Sequence, residues 1–222
     1  MISLSRTGRT LPRMSRARHT PVVPLEAGRS PDNPPCPACG EPLFGWMARR
    51  PGLRGPVSRC ESCGLGVVGG PGSAAEALHK LDSLGADGSP RIANRASIAA
   101  SLGGAGWAGL EPGARYLFTV EAVRRLVATR DQVVVRRRWT PAAGIAAMWQ
   151  TILNSLTFGR NVALGALGRG EAVPAERRWQ RRIDALISVV LAVPAMVVAL
   201  PLELAGAAVG RGGAIALRLR LL

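Results

Sequence analysis

Hydrophobic positions along this chain fall into two strongly patterned segments with weaker ones around them. Between Thr140 and Phe158, Ile145, Met148, Trp149, Ile152, Leu153 and Leu156 recur at i, i+3, i+4, i+7, i+8 and i+11. That is one face of an α-helix, with Thr140 as its cap and Pro141 at the first helical position. The stripe reads as a core-facing surface rather than a ligand box. From Ala185 to Leu202 the chain is uncharged and almost continuously apolar, with Ser188 the only polar side chain outside the prolines. A helix of that length spans about 27 Å, against a bilayer core of about 30 Å. Pro194 and Pro201 favour a kink, or a helical hairpin that dips into one leaflet, over a straight span.

The remaining pattern is fainter. Asn94 is placed to cap a helix to about Leu102, ended by Gly103 to Trp107. Thr119 caps the next helix, Glu121 complements its dipole, and Val120, Val123, Leu126 and Val127 mark one face. Gln132 to Arg136 reads as a strand, with Arg136, Arg137 and Arg138 as its solvated edge in preference to an anion site. Gly159 to Val173 is a connection with room for a short helix. Leu217 to Leu221 alternates with arginine at the strand period, so it pairs or lies at an interface.

The candidate chemistry is concentrated in one place. All four cysteines lie in Cys36-Pro-Ala-Cys39-Gly and Cys60-Glu-Ser-Cys63-Gly. A Cys-x-x-Cys turn brings two sulfurs to one side of a knuckle, and Gly40 and Gly64 suit the positive φ that follows. Two such pairs at this separation match the tetrahedral zinc site of a zinc ribbon, with Cys36, Cys39, Cys60 and Cys63 as ligands. Segments 42–46, 56–59 and 65–68 supply short strands around it. Four thiolates fill a tetrahedral zinc, so the metal is expected to be structural, and it supplies much of the folding free energy of so small a unit.

Charge modifies this picture. The net charge is +15 and Lys80 is the only lysine, so nearly all of the positive charge is arginine. Arginine attracts phosphate, on anionic lipid or on nucleic acid. Residues 1–34 mix Arg, Ser, Thr and Pro without periodicity and read as a disordered basic tail; translation from Met14 is compatible with this. The absence of an apolar stretch in 1–35 predicts a reducing compartment, where thiolates bind metal rather than pair. Arg177, Arg178, Arg181 and Arg182 precede the apolar run and Arg211, Arg218 and Arg220 follow it, which suits a hairpin at least as well as a single span.

Enzymatic motifs are missing. Neither His19 nor His79 has metal or nucleophile partners in sequence, and no phosphate-binding glycine loop follows a strand. No pair of carboxylates makes a convincing acid and base. The ribbon, the run from Asn94 through Trp107, Tyr116 and Phe118-Thr119 to Leu126, and Met148 to Asn154 together resemble bacterial class I S-adenosylmethionine-dependent methyltransferases. The resemblance covers 35–68 and 91–222. It implies a shortened relative, because the family's cofactor-binding strand-loop-helix has no counterpart here. No cofactor or catalytic residue carries over.

The sequence thus predicts an α+β, mainly helical chain. Its parts are a basic tail (1–34), a zinc ribbon (35–70), a linker (71–90) with room for a short helix from Ala74 to Leu84, a helical α+β region (91–174) and a membrane-associated tail (175–222). The leading function is a non-catalytic adaptor or accessory protein at the cytoplasmic face of the cell membrane, with lipid and a protein as partners. One alternative is a methyltransferase active only with a partner that supplies the cofactor site. The other is a zinc-ribbon nucleic-acid-binding protein, which the apolar tail disfavours.

Overall fold

A computed structural model describes residues 33–49, 52–85, 89–169 and 171–222. The expected disordered tail therefore lies outside the described residues, apart from Asn33 and Pro34. The fold is α+β, with seven α-helices and two antiparallel sheets among the described residues.

The first sheet has the order β1 (Leu43–Met47), β2 (Val57–Cys60), β3 (Gly66–Val68) and β5 (Tyr116–Leu117). Leu43 pairs with Cys60 and Val57 with Val68, so each ribbon strand ends beside a cysteine knuckle or its return. The fourth strand comes from outside the expected ribbon, with Tyr116 paired to Val67. The expected linker over 71–90 carries α1 (Ala74–Asp82), opened by a capping box between Ser73 and Glu76. Its Ala77, Leu78 and Leu81 are buried in the same core as the cysteines.

The second sheet has the order β4 (Arg91–Ala93), β7 (Ala214–Leu221), β6 (Gln132–Trp139). The alternating tail of the sequence is thus the middle strand, with Ile215 paired to Ile92 on one side and Trp139 on the other. The last strand of the expected tail, 175–222, therefore completes this sheet. Arg136 to Arg138 lie exposed on β6, an edge strand.

Helix α2 (Ile98–Gly103) corrects the expected cap. Ser97 accepts from the Ala100 N–H, and Asn94 instead is buried and donates its amide to the Gly212 carbonyl. The cap moved because Asn94 belongs to a turn that ties β4 to the start of β7. Thr119 does cap α3 (Val120–Ala128), accepting from Ala122 N–H at 3.0 Å. Thr140 starts α4 (Pro141–Asn154) without a side-chain cap bond. Met148, Trp149 and Leu153 are buried as the stripe predicts, while Leu156 lies past the helix end and is half exposed.

The buried side of α4 is also polar. Asn154 accepts from Gln150 and from Asn161 N–H, and donates to the Gly106 carbonyl. Gln150 in turn accepts from Leu164 N–H in α5 (Val162–Ala166). These amides fasten the 104–108 turn and α5 onto α4, and every buried amide group found there has a partner.

The apolar run forms α6 (Arg178–Val190) and α7 (Ala192–Ala208), which meet at a 62° bend. The expected hairpin or transmembrane segment is a bent pair. No single helix among the described residues is long and apolar enough to cross a membrane, and only the pair together has the length and composition. Helix α7 packs on α4, and its buried residues are Ala195, Ala199, Glu203 and Gly206, the last lying against Ile98 of α2.

Candidate metal centre

Each cysteine pair sits on a turn with the same hydrogen bonds. Gly40 N–H donates to the Cys36 carbonyl at 2.9 Å and Gly64 N–H to the Cys60 carbonyl at 3.0 Å. Cys36 N–H reaches the Glu41 carbonyl at 2.7 Å, and Cys60 N–H the Leu65 carbonyl at 2.9 Å. The two glycines take φ of 77° and 76°, which a side chain resists. At Gly64 a Cβ would also meet the Thr119 methyl at 2.9 Å.

The turns face one another and bring all four predicted ligands together. Cys36 and Cys63 sulfurs are 3.5 Å apart, as are those of Cys39 and Cys60, and all four lie within 4.8 Å of one another. A zinc–sulfur bond of about 2.3 Å places tetrahedral sulfurs about 3.8 Å apart, so the cluster can close on one ion with small adjustments. Cys36, Cys60 and Cys63 are buried, and Cys39 is partly exposed. None of the four is in a disulfide.

Without a cation, Cys39 and Cys63 resist ionisation. The thiol of Cys63 is pushed up by its hydrogen bond with Cys36 and then by burial. Cys39 is pushed up by burial first. A bound dication would reverse this by favouring thiolate, with protons released on binding.

The surroundings of the second turn were not legible in the spacing. Thr119, the α3 cap, donates to the Cys63 carbonyl at 2.6 Å. Arg95 donates to the Gly64 carbonyl and lies over the Trp46 ring, 4.1 Å from its centroid. Burial and then the neighbouring Arg59 push Arg95 down to about 10, while Cys63 pulls it partly back, so it remains cationic at neutral pH. Arg125 donates to Ser62 and pairs with Glu121, which raises its pKa most, with Cys39 adding to the shift. Four thiolates around a dication leave two net negative charges, and Arg95 and Arg125 stand where they offset them. The one sequence signal that reached this shell was Thr119 as a cap; its bond to Cys63 joins residues far apart in the chain.

Of the two histidines, His19 lies outside the described residues. His79 is in the last turn of α1, and the cysteine group contains no histidine or carboxylate. No family model, curated protein or solved structure matches this chain.

Proposed function

We propose that this chain is a non-catalytic adaptor that docks on a membrane surface, with a structural zinc ion in its cysteine cluster. The observation that carries the docking half is the outward face of α6–α7. Leu186, Val189, Val193, Val197, Leu200 and Leu204 are between 43% and 77% exposed. The two carboxylates of the same stretch, Asp184 and Glu203, are turned inward and buried. A helix pair surrounded by water would carry charges along its outside, and beyond the arginines that open α6 this one exposes none from Ile183 to Val209. A contiguous apolar surface of this kind marks an interaction site, and on helices flanked by arginine it suits the membrane interface.

The non-catalytic half is supported by a donor set of four sulfurs, which leaves a tetrahedral zinc no open position for water or substrate. All strand pairs among the described residues are antiparallel, which argues against the parallel-sheet crevice that holds nucleotide cofactors. The chain would thus carry its partner-binding surfaces to the membrane on a fold pinned by the metal.

Vesicle flotation of the full, zinc-supplemented chain tests the docking half. The chain is expected to float with lipid, and Val189→Glu combined with Val193→Glu to leave it in solution. A chain that never floats removes this half. Elemental analysis is expected to find zinc, lost in Cys63→Ser. Calorimetric binding of S-adenosylmethionine would instead favour an enzyme completed by a partner. Nucleic-acid binding that weakens steeply with salt would favour the third reading.

A further inference from the structure

The posture of α6–α7 follows from how the pair is held. Midway along α6, Asp184 accepts from the Phe158 and Gly159 N–H groups, both at 2.8 Å. At the bend, Trp149 donates its indole N–H to the Ala192 carbonyl at 2.8 Å. Near the end of α7, Glu203 accepts from the Trp139 indole at 2.8 Å and from Gly213 N–H at 2.6 Å. The middle of α6, the bend and the last third of α7 are therefore all fastened to the same folded body. A helix crossing a bilayer must leave its two ends in different compartments, and this one cannot do so without breaking at least one buried carboxylate clasp.

The charge around the pair selects the lipid. Arg177, Arg178 and Arg182 are exposed at the start of α6, and no carboxylate among the described residues forms an ion pair with them. The first turn of α6 holds no acidic residue, so the positive end of the helix dipole carries further positive charge. That arrangement is locally unfavourable, with Glu176 before the cap as the acidic residue nearest it in sequence, and negative charge from outside the chain would relieve it. Beside these arginines, Phe158 and Trp179 meet edge to face with centroids 5.5 Å apart, and both are about half exposed. Arginine next to half-exposed aromatic rings, at the margin of an apolar face, is the chemistry of a lipid headgroup boundary.

We propose that α6–α7 lies flat in one leaflet of an anionic membrane, its apolar face in the acyl boundary and Arg177, Arg178 and Arg182 on lipid phosphates. This rests on the membrane-docking reading and adds the lipid class and the one-sided posture. The test compares the full, zinc-loaded chain on vesicles of phosphatidylcholine alone and of phosphatidylcholine with phosphatidylglycerol. Binding is expected to favour the anionic vesicles, to fall as salt rises, and to weaken about a hundredfold in a combined Arg177→Gln, Arg178→Gln, Arg182→Gln variant. Equal, salt-insensitive binding to both vesicles overturns the headgroup assignment and leaves docking intact. No binding to either overturns docking itself. The salt series uses the unmodified chain, so it decides the question even if the variant misfolds. Lipids brominated near the headgroup are expected to quench more fluorescence than lipids brominated deep in the chain, with Trp179→Phe removing most of the quenched signal. Stronger deep quenching overturns the flat posture.

Discussion

Glu203 has no exposed surface and sits in an otherwise apolar helix, so its carboxylate requires internal partners. One oxygen accepts from Trp139 and Gly213, while the other has no hydrogen-bond partner. Glycine at 144 makes room for it: a Cβ there would collide with Glu203 Oε1 and approach the Trp139 indole nitrogen to 2.8 Å. Glu203→Ala leaves two buried donors unsatisfied, at about 1–3 kcal/mol each. A drop in thermal melting temperature is expected, smaller in Glu203→Gln, which keeps an acceptor. The cysteines give a second test, with a defined sign. Cys39 and Cys63 have raised folded pKa values in the metal-free chain, so the stability they contribute is complete below about pH 8.5, where the unfolded thiols begin to ionise. It is lost as pH rises toward the folded values. Metal-free protein is expected to melt progressively lower between pH 8 and pH 10 by circular dichroism, and zinc-loaded protein to show no such loss from these groups. The four-cysteine cluster was legible because its chemistry is written in local spacing. Glu203 was not, since the sequence shows a charge ending an apolar run and says nothing of the indole that meets it.

At the level of elements, periodicity located α3, α4 and the ribbon strands well. It was less informative where an element's role depends on distant partners. Glycine and proline around residues 69–90 suggested a linker, yet α1 within it packs Leu78 and Leu81 against the cysteines and α3. Leu81→Ala is expected to cost about 2–5 kcal/mol in denaturant unfolding, whereas a true linker position would lose almost nothing. The bend between α6 and α7 shows the same limit. Pro194 and Pro201 foretold a break, but the helix breaks at Leu191, before either proline, and Pro201 is accommodated inside α7. Position 191 is where Trp149 bonds the neighbouring Ala192 carbonyl, so tertiary contact helps set the corner.

Across the whole molecule, the expected division into ribbon, linker and helical region does not divide the core. One buried cluster holds Cys36, Cys60 and Cys63 together with Leu81 of α1, Leu126 of α3 and Leu217 of β7. The cysteine spacing could not reveal this, because the contacts join segments from opposite ends of the chain. Removing the metal should therefore be felt throughout. Chelation is expected to lower the melting temperature of the full chain in one cooperative step, seen together by helical signal and tryptophan fluorescence; a ribbon melting separately would contradict the shared core. The position of β7 also sets an order of assembly. It separates β4 from β6, so neither has its sheet partner until residues beyond 213 have left the ribosome. The apolar faces of α6 and α7 are synthesised earlier, before Gly213 is available to hold Glu203. At ordinary elongation rates, of roughly 5–20 residues per second, that interval is a few seconds at most, and it is when a nascent chain meets chaperone or lipid. A helix face that docks on lipid, as proposed above, would thus be available while the sheet behind it is still incomplete.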